Sequence, residues 1–250
     1  PLSAAEARDR MVAEVTPVTG REFLPVRSAL GRILAADIVA PHDVPAHDNS
    51  AMDGYAVRFD TLPAAGEARL AVVGTAFAGN AFSGIVGQGQ AVRIMTGAVL
   101  PAGADTVVVQ EAVRVEDGAV VVPPSQRKGQ NTRLAGEDLA RGAVALPAGK
   151  RIGPAELGLI ASLGVAEVEV RRRLRVAFFS TGDELASIGK PLAPGQVYDS
   201  NRYTLHGLLA RLGAEIIDMG VVPDRPEALE ATLAEAAQVA DAIITTGGVS

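Results

Sequence analysis

In the last third of the chain, short apolar runs alternate with amphipathic stretches. Val176 to Phe179 is an unbroken apolar run, the mark of a strand covered on both faces. Tyr203 to Leu212 carries Leu205, Leu208, Leu209 and Leu212 at helical spacing, closed by Gly213. Ala214 to Met219 reads as a second strand, Pro226 to Val239 as a second helix and Asp241 to Thr246 as a third strand. Strand–helix alternation of this kind predicts parallel strands joined by right-handed crossovers. An order of 2-1-3 would set the ends of the first and third strands beside one crevice.

Upstream the periodicity is different. Ser3-Ala4-Ala5-Glu6 fits a capping box, and Ala4, Ala7, Met11 and Val15 recur at helical spacing, so a first helix runs to about Val15. Glu22 to Val26 and Ile33 to Val39 read as short extended segments around Gly31. Pro41 to Val57 shows neither helical nor strand periodicity. Leu70 to Val73, Val92 to Met95 and Thr106 to Gln110 are β-rich, and Val113 to Val122 is a hairpin about Asp117-Gly118. Ile152 to Val170 combines a helix opened by Pro154 and closed by Gly164 with an alternating strand from Val165. This segment is expected to pack with the N-terminal helix. The implied domains are 1–40 with 141–174, an inserted β-rich domain at 41–140, and an incomplete α/β domain at 175–250. The fold class is thus multidomain α/β plus β.

Composition narrows the chemistry. Two hundred and fifty residues allow more than one core. The absence of cysteine excludes disulfides, iron–sulfur clusters and thiolate zinc sites. A net charge of −6 and only 4% aromatic residues argue against a nucleic-acid footprint. No apolar run approaches the ~20 residues a bilayer span needs, and no basic, then apolar, leader opens the sequence. A soluble cytoplasmic protein without a membrane partner is expected. Basic clusters at Arg127-Lys128, Arg133 and Arg171 to Arg175 read as solvated surface or as contacts for a small anion.

Ser180-Thr181-Gly182 ends the first apolar run, and Asp183 and Glu184 follow at once. This is either a ligand site at a strand C-terminus or a helix start capped by Thr181. The 2-1-3 alternation favours the ligand site. Gly247-Gly248 with Ser250 offers N–H groups and a hydroxyl to a phosphate. Asp183, Glu184, Asp199 and Asp224 stand at strand-to-helix connections, where carboxylates beside a phosphate suit Mg²⁺. Each also reads as a helix cap, Asp199-Ser200-Asn201 most clearly. No G-x-S-x-G, Walker A or H-E-x-x-H motif is present. His42, His47 and His206 lack metal-ligand spacing, and Gly87-Gln88-Gly89-Gln90 has no βαβ surroundings.

Six stretches together resemble the molybdopterin molybdenumtransferase family, which includes MoeA and the gephyrin E domain. They are Asp48-Asn49-Ser50-Ala51-Met52-Asp53-Gly54-Tyr55-Ala56-Val57, Arg93-Ile94-Met95-Thr96-Gly97-Ala98, Gly136-Glu137-Asp138, Ser180-Thr181-Gly182-Asp183-Glu184-Leu185, Tyr198-Asp199-Ser200-Asn201 and Thr246-Gly247-Gly248-Val249-Ser250. The resemblance implies insertion of molybdenum from molybdate into adenylylated molybdopterin, with Mg²⁺ and release of AMP. It implies a homodimer whose active site joins the α/β domain of one subunit to the β domain of the other. A molybdopterin adenylyltransferase would act upstream.

By motif, Asp53, Thr96, Arg133 and Asp138 would face the pterin from the β domain. Asp183 and Glu184 would lie in the α/β crevice, catalysis falling to Asp53, Asp183 and Glu184. Thr181, Gly182, Asp199, Ser200, Asn201, Gly247, Gly248 and Ser250 would bind substrate, and Glu184 and Asp224 the metal. The family pattern continues past G-G-V-S to a further Asp, a Lys- and Pro-rich molybdate segment and another β domain. The sequence is therefore expected to be a fragment, inactive by itself. The alternatives are a molybdopterin adenylyltransferase and a non-enzymatic gephyrin-like scaffold.

Overall fold

The computed structural model describes residues 2–189 and 191–247. The chain clusters into two units, Asp37–Pro147 and Pro1–Ala36 with Ala148–Ser250.

The first of these is built on six strands. Their order is Thr106–Val109, Gly54–Val57, Gln90–Ile94, Ala68–Ala76, Ala119–Val122 and Arg114–Glu116. All neighbours are antiparallel except Ala68–Ala76 with Gln90–Ile94. The hairpin turns at Asp117 and Gly118, whose φ values of 46° and 74° are the paired positive angles of a type I′ turn. The aperiodic stretch Pro41 to Val57 nonetheless contains two strands, Asn49–Ser50 and Gly54–Val57. Tyr55 and Val57 enter one core cluster with Leu70, Val108 and Val120. Ala56 enters the cluster on the other face with Val92, Ile94 and Val107. With both faces covered there is no polar alternation to read.

In the second unit Arg21–Pro25 pairs antiparallel with Glu167–Arg171. Val168 and Val170 of the second strand are buried, as are Leu34, Ile152, Ile160 and Leu163. The helix Pro154–Ser162 starts with proline, and the Glu156 carboxylate accepts from the Gly153 N–H at 2.9 Å. The N-terminal helix, Ala4–Glu14, has its capping box: Ser3 and Glu6 bond reciprocally. It buries none of its residues, although its segment clusters in one unit with 148–250.

The α/β part of this unit is a parallel sheet in the order Glu215–Val222, Arg175–Thr181, Ala242–Thr246, which is 2-1-3. Val176 and Phe178 pack with Leu209 of the helix Ser200–Leu212, and Phe179 and Ala177 are also fully buried. That helix is capped by Asp199, which accepts from the Arg202 N–H at 3.1 Å. The helix Pro226–Val239 crosses from the second strand to the third.

Arg172 ties the start of the third strand to that of the first. It donates to both Asp241 oxygens at 2.6 and 2.7 Å, and the Arg175 N–H donates to the same carboxylate at 2.8 Å. The guanidinium first, and then that N–H, hold the Asp241 carboxyl well below the usual carboxylate range. Because folding lowers this pKa, the stability it contributes is present above the unfolded value and is lost as pH falls below about 4. Asp241→Asn is expected to cost about 1–2 kcal/mol at pH 7 and less at pH 3. Urea denaturation at both pH values measures it, and an undiminished cost at pH 3 would contradict the assignment.

Candidate functional site

In the β unit, two loops converge on the segment from Val44 to Asp53. The loop after Gln90–Ile94 joins it through Gly97 N–H to Ser50 O at 2.8 Å, Ser50 N–H to Ala98 O at 3.0 Å and Leu100 N–H to Asp48 O at 2.8 Å. The turn from Arg133 to Leu139 joins it from the other side. There the Asp48 carboxylate accepts from the Ala135 N–H at 2.8 Å, and the Gly136 and Asp138 N–H groups donate to Pro45 and Val44 oxygens at 3.0 Å.

Asp53 and Thr96, predicted to share a site, are in direct contact. One Asp53 oxygen accepts from the Thr96 N–H and hydroxyl, each at 2.7 Å. These two bonds, the N–H first, hold the Asp53 carboxyl below its ordinary value, so it is a carboxylate at neutral pH, with no hydrogen bond to its other oxygen among the described residues. Arg133 and Asp138 also meet, since Arg133 donates to Glu137 at 2.6 Å and to Asp138. The Arg133 guanidinium and the Leu134 N–H keep Glu137 below its ordinary range. The arrangement can offer a carboxylate to ligand N–H groups and a guanidinium to an oxyanion.

Two residues beside these were missed as individuals. Arg93 donates to Tyr55 and Gln110 at 3.1 and 2.8 Å and lies 5.6 Å from the Tyr55 ring centroid, adding a positive field to Asp53. Asn49 has a buried amide oxygen with no hydrogen-bond partner among the described residues. Both lie within the quoted motifs, which were the one available signal.

In the α/β part, Asp183 and Glu184 follow the strand Arg175–Thr181 on a turn, and the next element is the short strand Leu185–Ala186. No helix begins there, so the capping alternative for Thr181 and these acids is removed. Asp224 is not a cap either: Arg225 holds that position, without a side-chain bond. The Asp224 N–H instead donates to Asp183 at 3.4 Å, joining the ends of the first two strands. At the third strand, Gly247 has φ +98°, and a Cβ there would stand 2.3 Å from the Thr181 carbonyl oxygen. Thr246 and Ser180 hydroxyls bond at 3.0 Å beneath it.

Asp199 is buried, with one oxygen capping its helix and the other unpartnered among the described residues. Ser200 and Asn201 form that helix's first turn. Gly248 and Ser250 lie outside the described residues. Among the described residues no three His, Asp or Glu side chains gather to hold a metal. Asp183, Glu184 and Asp224 are exposed. No helix is long and apolar enough to cross a membrane among the described residues.

Comparison with known proteins matches both halves of the chain. The family described as MoeA N-terminal region (domain I and II) matches residues 2–164, and the one described as probable molybdopterin binding domain matches 177–250. A molybdopterin molybdenumtransferase of Haemophilus influenzae is 45% identical over 250 residues, covering 100% of this chain and 61% of that protein. One of Nostoc sp. is 43% identical over 232 residues, covering 92% and 53%. The crystal structure of a molybdopterin biosynthesis MoeA protein from Pyrococcus horikoshii superposes with a TM-score of 0.90 at 33% identity, over 98% of this chain and 66% of that one. The chain thus spans about three-fifths of the H. influenzae relative's length. The match to the N-terminal family region alone extends over more than half of the 250 residues, and the chain belongs to the MoeA family.

Proposed function

We propose that this protein inserts molybdenum from molybdate into adenylylated molybdopterin, releasing AMP and molybdenum cofactor. The observation that carries this reading is Asp53 held by Thr96 where two loops meet its segment, in a chain whose family and relatives belong to molybdenum cofactor biosynthesis. A pterin ring presents amino and ring N–H donors on one edge. The second oxygen of Asp53 and the Asp138 carboxylate supply matching acceptors, and Arg133 supplies a cation for the phosphate.

The α/β crevice takes the adenylate side. Thr181, Gly182 and Gly247 offer close backbone approach, and Gly248 and Ser250 extend it by motif. Asp199, with Ser200 and Asn201, offers to a donor on the ligand a carboxylate oxygen that has no partner among the described residues. Asp183 and Glu184 act as positioned carboxylates in catalysis. Mg²⁺ would neutralise the phosphoanhydride, held by Glu184 and Asp224 with phosphate oxygens and water. The residues position and stabilise charge, and no covalent nucleophile is needed.

The domains we assign are 1–40 with 141–174, 41–140, and 175–250. We assign a homodimer with the site shared between subunits, a molybdopterin adenylyltransferase as supplier of substrate, and a cytoplasmic location. The test is molybdate-dependent release of AMP from adenylylated molybdopterin by the protein at the full length of its relatives, with Mg²⁺. AMP release that ignores molybdate, or none at all, would overturn the proposal.

A further inference from the structure

The arginine run from Arg171 to Arg175 is not used by the site described above. It lies at the opposite end of the parallel sheet. The strand Arg175–Thr181 separates the two ends by roughly 20 Å at about 3.3 Å per residue. At its N-terminal end is a cleft of about 410 Å³, within the size range of small-ligand sites. Six arginines line it: Arg32, Arg151, Arg171, Arg172, Arg173 and Arg211. Among the described residues no carboxylate lines it with them. In a chain of net charge −6 that concentration of one sign is not a sampling of the average surface.

The local acids do not cancel it. Glu22 is paired with Arg32, Asp241 with Arg172 and Glu156, which shares an adjoining hollow with Arg151, with Lys150, while Glu215 stands on another rim. Arg171 donates to the Thr19 carbonyl and Arg173 to the Gly213 carbonyl at the end of the helix Ser200–Leu212. Arg151 and Arg211 have no side-chain partner among the described residues. Four guanidinium charges are thus left without a carboxylate among the described residues. The remaining wall is apolar and accessible: Leu30, Leu174 and Leu212 are 54%, 43% and 80% exposed.

Guanidinium forks beside an apolar wall match an oxyanion attached to an apolar body. We propose that this cleft binds a small organic phosphate, with the phosphate on Arg151 and Arg211 and the organic part against Leu174 and Leu212. The site is separate from the crevice at Thr181 and Gly247 and does not depend on the activity proposed for it.

Titration calorimetry of the intact protein at low ionic strength tests this, with 1-naphthyl phosphate and inorganic phosphate as probes. Saturable binding of the naphthyl ester is expected, weakened at least fivefold in the Arg151→Gln/Arg211→Gln double variant. Both side chains are exposed, so the variant's thermal midpoint is expected to match that of the parent. Inorganic phosphate is expected to bind at least fivefold more weakly than the ester, because it cannot use the apolar wall. Absence of saturation overturns the site, and a smaller loss in the double variant places any binding elsewhere. Equal affinity for the two probes overturns the organic component.

Discussion

Replacing Gly54 by alanine is expected to unfold the β unit near physiological temperature. A Cβ at this position would lie 2.1 Å from the Val108 carbonyl oxygen, 2.9 Å from its carbon and 3.0 Å from the Val109 Cα. The obstacle is backbone, so no side chain can rotate away. Gly54 is paired with Ile94 on one side and Val109 on the other, in the second strand of the six-stranded sheet. Relief would require the Gly54–Val57 strand to separate from Thr106–Val109, in a core where Ala56, Val57, Val107 and Val108 are fully buried. Overpacking of this kind costs about 3 kcal/mol or more, against a total of roughly 5–15 kcal/mol for a domain. The midpoint should fall by on the order of 15 °C for a unit of this size. Scanning calorimetry reads it directly, and a shift within about 3 °C would refute the close approach.

The same residue marks what the sequence could and could not show. Gly54–Val57 went unread as a strand because Tyr55 and Val57 serve one core cluster and Ala56 the other. Period-2 reading detects strands with one wet face, and this one has none. Leu185–Ala186 and Val197–Tyr198 were invisible for another reason, being two residues each. By contrast Asp199 and Gly213 bracket their helix as capping chemistry requires, although its first turn, Ser200 to Arg202, carries no apolar stripe to announce it.

Asp183 and Glu184 show the limit at the site. Acids after an apolar run serve equally as caps and as ligand groups, and local sequence does not distinguish a turn into a strand from a turn into a helix. The proximity of Asp53 and Thr96, 43 positions apart, rests on strand pairing that no local pattern encodes. Only the quoted motifs, taken together, pointed to it.

In the protein at the full length of its relatives, Asp53→Asn is expected to lower molybdenum insertion by about 10²-fold or more, the scale of losing one preorganised electrostatic group, with the β unit still folded. The amide keeps the shape and can still accept from Thr96, but it removes the charge held in place by the Thr96 N–H and hydroxyl. A merely structural role would instead show as a lowered midpoint with near-normal turnover. The proposed shared site adds a stricter test. Glu184→Gln should be similarly impaired alone. If Asp53 and Glu184 reach each site from different subunits, an equal mixture of the two variants, dissociated and reassembled, should recover about a quarter of the parent activity. Half of the dimers would be mixed, and each mixed dimer would have one site with both carboxylates intact. Sites built within single subunits would recover nothing, because every subunit carries one of the two substitutions. Activity in the mixture no higher than in either variant alone would therefore reject the shared site while leaving the role of Asp53 to be judged on its own variant.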